Sequence, residues 1–357
     1  MKLKLLYITN GISGGGGLER VLSIKASYFA EEFGYDVHII SLNDAKATFY
    51  PFSTFITFHP IEVAKDWKYL FSYIKKINQI VKEVQPDIIS VCDDGMKGLY
   101  VPLWIQKGKA KIIYERHASM ILNGASWQKF WMRMGAHLYD KIVVLTHYNL
   151  TEWSSNNLTV IPNPVSFYPH ESATLENHRI ICVGSLSYNK GYDLLIDAWS
   201  KIASRHPSWS VHIYGKGDAS VYQDAIHQAG IQKQITFHAP VQDIASVYQQ
   251  ASLLVLPSRS EGFGMVLIEA MACGVPCVAF DCPCGPRDII QDGKNGFLVK
   301  PQDTEELAKK IEFLINHPQL RKEIGIFAQD FTQKYQIATI ASTWDKLFKE
   351  LIDPCHY

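Results

Sequence analysis

Two glutamates, Glu261 and Glu269, flank the predicted start of a short helix. The apolar run Ser252–Pro257 precedes them and has the length of a buried strand. Two glycines then interrupt the pattern. Residues 265–272 are strong helix formers, and a Gly-Val-Pro sequence ends them. The local prediction is therefore a strand, a glycine-containing turn and a short helix, with one glutamate at the turn and the other inside the helix.

The spacing of the two glutamates suits a ligand that carries hydroxyl groups at both ends. Eight steps at the rise of an α-helix separate the carboxylates by at most about 12 Å along the axis. Between them lies a helix N-terminus, whose free backbone N–H groups and positive dipole end bind phosphates. A nucleotide sugar has this arrangement, with ribose at one end, hexose at the other and phosphates between. Taken alone, however, the two glutamates are better explained as ordinary surface charges.

The residues around the two glutamates resemble a known family. Their spacing matches the Glu-x7-Glu of the retaining GT-B glycosyltransferases of family 4, in the type that builds bacterial surface polysaccharides, and Glu-Gly-Phe-Gly and the Gly-Val-Pro exit are in place. The resemblance implies that Glu261 binds a hydroxyl of the donor sugar and that Glu269 binds the ribose hydroxyls. It also implies donor binding by the residues of the turn, Gly262, Phe263 and Gly264.

A glycine-rich loop at residues 10–17 follows the first predicted strand, Leu3–Thr9. The loop contains no Walker P-loop motif and no regular G-x-G-x-x-G motif, and a flexible linkage is the alternative interpretation. Its position at the carboxyl end of a strand is where doubly wound sheets bind ligands. The loop also resembles the Gly-Gly-x-Glu-Arg sequence of the family, which implies that Gly16 and Gly17 face the donor phosphates and the acceptor.

His117 follows another predicted strand, Lys111–Tyr114, at the same kind of position. A lone histidine is usually a satisfied core or surface residue, but α/β proteins build ligand sites at the carboxyl ends of parallel strands. It also resembles the family's histidine that contacts a donor-sugar hydroxyl, so we expect a site role. We interpret the nearby pair Asp93–Asp94 as loop or cap residues, since adjacent carboxylates point in different directions and the family needs no bound metal.

Lys190 lies just before a predicted amphipathic helix in the second half of the chain. A cation beside a helix N-terminus suits a diphosphate, whereas a solvated surface lysine is the alternative. The segment resembles the Gly-Arg-Leu…Lys-Gly motif of the family, which implies that Lys190 acts on the leaving diphosphate. Ser185 occupies the donor-binding position where the family has arginine, so half of the usual pyrophosphate clamp is missing. Arg259 or Arg287 is a hypothetical source of the missing charge.

The chain has 357 residues, which exceeds what one hydrophobic core usually serves. Both halves open with a strand, a glycine loop and a helix. We therefore predict an α/β fold of two doubly wound, Rossmann-like domains that face a cleft, the GT-B architecture. Ile-Pro-Asn-Pro-Val resembles the interdomain hinge of the family. The predicted acceptor-side domain spans residues 1–165, with a returning helix at about 338–357, and the donor-binding domain spans residues 166–337.

Residues 127–139 carry aromatic side chains at helical spacing, with Lys129 and Arg133 beside them. Our first interpretation is an amphipathic helix that turns its aromatic stripe to the core. The alternative is a basic and aromatic surface that rests on a membrane near a lipid-linked acceptor.

Composition and charge exclude several classes of protein. The 35 basic and 35 acidic side chains balance, so no global field attracts nucleic acid. The N-terminus does not read as a signal peptide and no apolar run has membrane-spanning length, so we expect a cytoplasmic protein, with contact at the inner face of the membrane as an option. The seven cysteines are expected to be reduced. The clustered ones lack paired C-x2-C spacing and a histidine, so we expect no metal: Cys273, Cys277, Cys282 and Cys284.

These observations predict an enzyme that moves a hexose-type sugar from a nucleoside diphosphate sugar to a hydroxyl of a glycan or polyprenyl-linked acceptor. Uridine is the favoured base because Cys284–Ile290 resembles uridine-nucleotide users. Retention of anomeric configuration is implied by the family alone, and the donor is a co-substrate, so we expect no cofactor. Two alternatives stay open, a nucleotide-sugar epimerase of the same fold and a non-catalytic partner of another transferase, which Ser185 suggests.

Overall fold

The computed structural model of the protein describes residues 2–42, 44, 48–64, 68–92, 95–120 and 126–353. The pair Asp93–Asp94 lies outside these residues. The chain divides into two compact units. Unit 1 comprises Met1–Ser166 and Gln336–Tyr357, and unit 2 comprises Phe167–Tyr335. The predicted domain boundaries differ from these by one or two residues.

Unit 1 contains a parallel sheet of seven strands in the order β3-β2-β1-β4-β5-β6-β7. The strands are β1 (Lys4–Thr9), β2 (Asp36–Leu42), β3 (Thr57–Ile61), β4 (Ile88–Cys92), β5 (Lys111–Arg116), β6 (Lys141–Val144) and β7 (Leu158–Val160). The central strands are buried along almost their whole length, as in β4, where every residue is buried. Such continuous apolar runs are typical of parallel sheets that helices cover on both faces.

The helices of unit 1 pack on this sheet. They are α1 (Gly17–Glu31), α2 (Tyr69–Val84), α3 (Met96–Leu99), α4 (Ser126–Gly135), α5 (His147–Leu150) and, from the end of the chain, α13 (Ile337–Ile352). Helix α13 buries an apolar face at helical spacing in one core cluster with β1 and α1: Ile340, Ala341, Trp344, Leu347 and Phe348. This burial explains why the last helix belongs to unit 1.

Unit 2 repeats the same architecture with six parallel strands in the order β10-β9-β8-β11-β12-β13. The strands are β8 (Arg179–Val183), β9 (Ser210–Tyr214), β10 (Ile235–His238), β11 (Leu253–Leu256), β12 (Cys277–Phe280) and β13 (Gly296–Val299). The helices are α6 (Tyr192–Ser200), α7 (Gln223–Gln228), α8 (Ile244–Gln249), α9 (Met265–Ala272), α10 (Pro286–Ile289), α11 (Thr304–Asn316) and α12 (Pro318–Phe331). The predicted pair of Rossmann-like α/β domains is confirmed.

Two features of unit 1 differ from the predictions. The sequence analysis did not predict the edge strands β3 and β7. The interpretation of α4 as a core-facing aromatic helix is wrong, because Trp127, Phe130 and Trp131 are about half or more exposed. The face of α4 that enters the core instead carries Met132 and Gly135.

None of the helices in the described part of the chain combines the length and apolar composition that crossing a membrane requires.

Two histidine pairs occupy corresponding positions in the two sheets. His38 on β2 and His59 on β3 approach at 2.9 Å between Nδ1 and Nε2, and the same atoms of His212 on β9 and His238 on β10 are also 2.9 Å apart. The rings stack in both pairs. An N–H···N hydrogen bond needs one unprotonated nitrogen, so neither pair tolerates two charges.

We expect the histidine pair of unit 2 to make the protein less stable in mild acid. Burial lowers the pKa of His212 to about 4, and burial also lowers the pKa of His238. The unfolded chain therefore binds more protons below about pH 6.5, so this stabilisation is complete above that pH and is lost as the pH falls towards 4. In calorimetry, the double variant His212→Gln/His238→Gln should lose less Tm between pH 7 and pH 5 than the wild type.

The matched control is His227→Gln, which changes an exposed histidine on α7 and should keep the wild-type pH dependence. An unchanged slope in the double variant would contradict the prediction.

Candidate active site

Two loops of unit 2 meet at the carboxyl edge of its sheet, where the strand order reverses. Gly184–Gly191 follows β8, and Pro257–Gly264 follows β11, its neighbour in the sheet. The backbone N–H of Arg259 donates to the Asn189 carbonyl (2.8 Å), and Asn189 Nδ2 donates to the Ser260 carbonyl (2.7 Å). The two loops are therefore joined at the position where doubly wound sheets bind ligands.

Lys190 and Glu261, one from each loop, form an ion pair. Lys190 Nζ lies 2.7 Å from Glu261 Oε1, and Ser258 Oγ donates to the same oxygen at 2.6 Å. The two side chains are 20% and 10% exposed, so the pair is largely buried but can be reached by a ligand. Among the described residues, none forms a hydrogen bond with Glu261 Oε2, which leaves that oxygen for a ligand hydroxyl.

Two glycines permit the close approach of these loops. Gly191 has a φ of +66°, and a Cβ atom there would lie 2.0 Å from the carbonyl oxygen of Pro257. A Cβ atom on Gly215, after β9, would lie 1.8 Å from the carbonyl oxygen of Gly184. Any side chain at either position would push the loops apart, so glycine is required for the geometry around Lys190.

Helix α9 spans the residues that the sequence analysis predicted. The turn before it holds three predicted donor-binding residues, Gly262, Phe263 and Gly264, and the last is the N-cap residue with a φ of +91°. The next loop braces this turn, because the Glu261 N–H donates to the Pro283 carbonyl at 3.2 Å. The helix start and Glu261 are therefore held in one arrangement by backbone contacts.

Glu269 lies in α9 and is 1% exposed, far less than a surface charge would be. Tyr248, itself fully buried, donates its hydroxyl to Glu269 Oε2 at 3.1 Å. The two glutamates are thus both sheltered from water, which does not fit the alternative that they are surface charges. The role of Glu269 at the ribose hydroxyls stays a prediction.

The structure does not favour Arg259 as the source of the positive charge that is missing at the position of Ser185. Ser185 is exposed, with its Oγ 3.3 Å from Ser187 Oγ. Arg259 donates two hydrogen bonds to the Asp193 carboxylate (2.9 and 2.6 Å), and these bonds hold the pKa of Asp193 below its ordinary value. Arg287 likewise pairs with a carboxylate, that of Asp281.

Lys216, in the loop after β9, is a better candidate than either arginine. Its backbone carbonyl accepts a hydrogen bond from the Leu186 N–H at 2.8 Å, next to Ser185 in the chain. The Lys216 side chain is exposed, and it has no ion-pair partner within the described residues. The backbone of Lys216 therefore lies next to the Ser185 loop, on a different loop from either arginine.

In unit 1, Gly16 and Gly17 lie at the start of α1, at the carboxyl end of β1, and both are exposed. Carboxylates already approach this loop. Asp44 Oδ2 accepts hydrogen bonds from the N–H groups of Ile12 (2.6 Å) and Ser13 (2.8 Å). The side chain of Glu19 also lies against the loop. The amides of residues 12 and 13 are therefore occupied, whereas Gly16 and Gly17 belong to the exposed part of the loop.

His117 follows β5 and belongs to a buried polar network. Its Nε2 lies 3.4 Å from Glu115 Oε2, and Ser90 donates its hydroxyl to Glu115 Oε1 at 2.5 Å. Lys25 of α1 forms an ion pair with Glu115, and both side chains are 2% exposed. The Lys25 ammonium also lies 4.2 Å above the ring of Trp344 in α13. One side of His117 is therefore held by a carboxylate that α1 and β4 fix in place through Lys25 and Ser90.

Charge neutralisation determines the state of Glu115. Burial by itself raises its pKa, but the charge of Lys25 and the contacts with His117 and Lys25 outweigh burial and hold the pKa well below its ordinary value. Cys92, Glu115 and His117 have ligand atoms close enough to share a metal ion. The ammonium already on Glu115 disfavours a second cation, and burial raises the pKa of the Cys92 thiol, which keeps it neutral. The absence of a metal requirement stays a prediction.

The clustered cysteines of unit 2 are buried and free, as is Cys182. Burial raises the pKa of Cys273 to about 12 and raises the pKa of Cys277 and Cys282 further. These thiols are thus neutral core residues, which makes them poor metal ligands. Cys355 lies outside the described residues.

Comparison with known families identifies the chain. Residues 170–331 match the family "Glycosyl transferases group 1", and residues 15–167 match "Glycosyltransferase Family 4". The chain is 32% identical to an uncharacterized glycosyltransferase of Haemophilus influenzae over 359 aligned residues, which cover 96% of this chain and 98% of that protein. The protein belongs to the group 1 glycosyltransferases. Its N-terminal domain is of the Family 4 type, and the predicted GT-B class and transferase activity are confirmed.

Other relatives of this glycosyltransferase have named products. It is 28% identical to the amylovoran biosynthesis glycosyltransferase AmsD of Erwinia amylovora, with 96% of this chain and 99% of that protein covered. It is 26% identical to the lipopolysaccharide 1,6-galactosyltransferase of Salmonella typhimurium, with 88% and 90% covered.

Solved structures share the fold of this glycosyltransferase. A mutant of S. aureus TarM in complex with fondaparinux, alpha-GlcNAc-glycerol and UDP superposes with a TM-score of 0.83 at 15% identity, covering 97% of this chain and 99% of that one. Anabaena HepE in complex with UDP-glucose gives a TM-score of 0.77 at 19% identity, covering 98% and 100%.

Sequence reasoning missed several residues of the glycosyltransferase's candidate site. Lys25 and Glu115 are 90 residues apart in the chain, so no local pattern joins them. Asp44 is more than 30 residues from the loop that it contacts. Ser258 directly follows the predicted strand Ser252–Pro257 but had no assigned role. A charged residue on the buried face of α1, as Lys25 is, was the one available signal, because lysine is rarely buried without a partner.

Proposed function

We propose that this glycosyltransferase moves a hexose-type sugar from a UDP-sugar to a hydroxyl of a glycan or lipid-linked acceptor in surface polysaccharide synthesis, with retention of anomeric configuration. The observation that carries the proposal is the Lys190–Glu261 pair at the carboxyl edge of the unit 2 sheet. The UDP bound to TarM and the UDP-glucose bound to HepE support the donor, and the names of the AmsD and Salmonella relatives support the product class.

The proposed reaction requires that the negative charge on the leaving diphosphate be stabilised. The bond between the sugar C1 and the diphosphate oxygen breaks, and C1 bonds to the acceptor oxygen, whose proton passes to the leaving diphosphate. UDP leaves with the electron pair. Fixed cations and backbone dipoles stabilise such charge at low reorganisation cost. In this proposal Lys190 and Lys216 supply the cations and the start of α9 supplies the amides.

Three further roles belong to the proposal. Glu261 Oε2 accepts a hydrogen bond from a hydroxyl of the donor sugar, Glu269 serves the ribose, and His117 orients the donor. The open amides of Gly16 and Gly17 face the phosphates or the acceptor. Retention rests on the resemblance to family 4, and no resident metal takes part. The location at the cytoplasmic side of a membrane is part of the same proposal.

A screen of UDP-sugars tests the proposal. UDP-glucose, UDP-galactose and UDP-N-acetylglucosamine are added separately, and the Tm is recorded with transfer to lipid-linked and soluble glycans. Ligand at about 100 times its Kd should stabilise the protein by about 2.7 kcal/mol. NMR of the product reports the anomeric configuration. Formation of a sugar isomer without an acceptor would overturn the proposal in favour of an epimerase. If the protein binds none of the nucleotide sugars, the proposal is overturned in favour of a non-catalytic role.

Two lysine variants locate the diphosphate. Lys216→Ala should weaken UDP binding by roughly tenfold, since each lost charge-assisted hydrogen bond to phosphate contributes about 1.5–3 kcal/mol before solvent screening. The control is Lys294→Ala, an exposed lysine in the turn before β13, at the opposite edge of the same parallel sheet. Equal affinities for the two variants would exclude Lys216 from the site.

A further inference from the structure

Helix α4 presents an aromatic stripe that none of the described residues of unit 1 covers. Four large apolar side chains occupy one face of the helix and are 61%, 57%, 48% and 50% exposed: Trp127, Phe130, Trp131 and Met134. Monomeric proteins rarely expose contiguous apolar patches of such bulky residues without an interaction partner. The stripe therefore needs a functional explanation.

The stripe cannot turn into the core, because the opposite face of α4 is already packed. Met132 is fully buried, and Gly135 approaches α3 so closely that a Cβ atom there would lie 2.6 Å from Leu99 Cγ. Rotation of α4 would break this packing. Outward exposure of the aromatic face is thus a fixed property of unit 1.

Two further exposed apolar side chains lie on the 3-10 turn Val101–Leu103 and directly after it. Leu103 is 57% exposed and Trp104 is 37% exposed. Tyr100 donates its hydroxyl to the Trp131 carbonyl at 2.8 Å, which ties the turn to α4. We call Leu103, Trp104 and the four stripe residues of α4 the aromatic surface.

Positive charge accompanies the aromatic surface. Lys129 and Arg133 lie on α4 itself, which has no acidic residue. The Arg133 Nε donates to the backbone carbonyl of Glu152, so this contact does not pair the guanidinium with a carboxylate.

We infer that the aromatic surface rests on an anionic phospholipid bilayer. Tryptophan is enriched at the membrane interface, where its ring is buried and its N–H stays hydrated, and lysines near a surface are attracted to anionic lipids. An amphipathic helix with tryptophan and phenylalanine on one side and basic residues beside them lies in the plane of the interface. A self-association through this face would bring the cations of two copies together, which disfavours a dimer. The inference deepens the proposed function. It rests on that function only where it concerns the lipid-linked acceptor.

Vesicle flotation of the full chain tests the inference. We expect flotation with vesicles in which about a third of the lipid is phosphatidylglycerol, little with pure phosphatidylcholine, and release at about 0.5 M salt. The triple variant Trp127→Ser/Phe130→Ser/Trp131→Ser should lower the bound fraction by roughly tenfold or more, because it removes most of the inserted apolar area. Lys129→Glu should lower binding to anionic vesicles alone.

The matched control is Ile326→Ser/Phe327→Ser, which removes two exposed apolar residues of α12 in unit 2, 68% and 63% exposed. It should float like the wild type. Wild-type protein that fails to float, or a triple variant that floats equally well, would overturn the inference. Loss of a dimer in the triple variant, seen by sedimentation without any vesicle binding, would assign the face to a second copy and overturn it as well.

These outcomes are separable from those of the proposed function. UDP-sugar binding and transfer to a soluble acceptor should be unchanged in the triple variant, since the stripe is exposed and lies outside the candidate site. If the wild type binds no UDP-sugar, the proposed function is overturned. The result of the vesicle experiment is not affected by that outcome.

Discussion

Replacing Glu261 by Gln should lower the kcat/KM for sugar transfer by about 10²–10³-fold, the effect of removing one preorganised polar contact to the reacting groups. The substitution keeps the shape of the side chain but removes the carboxylate that pairs with Lys190 and accepts from Ser258. It also weakens the acceptor that Oε2 offers to a donor-sugar hydroxyl. The measurement is the initial rate of transfer at several concentrations of the UDP-sugar that the screen selects.

A double-mutant cycle with Lys190→Met shows whether the pair acts as a unit. If Lys190 is positioned by Glu261, each single variant loses most of the rate and the double variant loses little more. Independent roles would instead give losses that multiply. The cycle therefore distinguishes a shared function from two separate contacts with the donor.

The control for Glu261 is Glu323→Gln, an exposed glutamate on α12 of the same unit, which should keep the wild-type rate. Calorimetry of Glu261→Gln should show a folded unit 2. A Glu261→Gln enzyme that retains the wild-type kcat/KM to within about threefold would remove Glu261 from the catalytic machinery.

Replacing Lys25 by Met should lower the Tm of unit 1 by about 6–20 °C, because leaving a buried charge without its partner costs about 3–5 kcal/mol. Lys25 and Glu115 are both 2% exposed, and the ammonium is what keeps the buried carboxylate charged. In the variant, the pKa of Glu115 rises because the charge of Lys25 no longer opposes the effect of burial. The substitution also removes the cation from the Trp344 ring of α13.

The double variant Lys25→Met/Glu115→Gln separates stability from positioning. It removes both charges of the buried Lys25–Glu115 pair, so much of the lost Tm should return. If Glu115 orients His117, kcat stays low while the fold recovers, with a smaller change in KM. Recovery of both Tm and kcat would show that the network is structural only, and His117 would then need no carboxylate to act.

An exposed ion pair supplies the matched control for Lys25. Lys107 pairs with Asp140 at 2.8 Å, but these side chains are 33% and 24% exposed. Lys107→Met should cost no more than about 1 kcal/mol, since solvent screens such pairs. A Tm loss as large as that of Lys25→Met would mean that burial is not the cause of the expected effect.

The polar network of His117 and the ion pair between Lys190 and Glu261 are arranged in the same way. In each unit the candidate residue follows a parallel strand, and a charge from another element holds it: Lys25 through Glu115 in unit 1, and Lys190 in unit 2. A polar group that is preorganised in this way needs little rearrangement when charge develops on a substrate. The two largest expected effects therefore fall on the residues that fix geometry as well as on those that contact substrate.

Much of the fold followed from local patterns in the sequence. The strand, glycine loop and helix at the start of each half identified both Rossmann-like domains, and α9 has the predicted bounds. These features depend on hydrophobic periodicity and on glycines at turns, which act over a few neighbouring residues. The placement of Glu261 and Lys190 in loops after parallel strands followed from the same patterns.

The tertiary structure decided which faces are covered and which charges meet. Periodicity showed that α4 has an apolar side, but Met132 and Gly135 enter the core while the aromatic stripe faces outwards. A helical pattern records how side chains are arranged around an axis and contains no information about the element that packs against them. The pairing of Lys25 with Glu115, the engagement of Arg259 by Asp193 and the proximity of Lys216 to Ser185 likewise arise only when distant segments are brought together, because ion pairs and close backbone contacts depend on distance in space and not on distance along the chain.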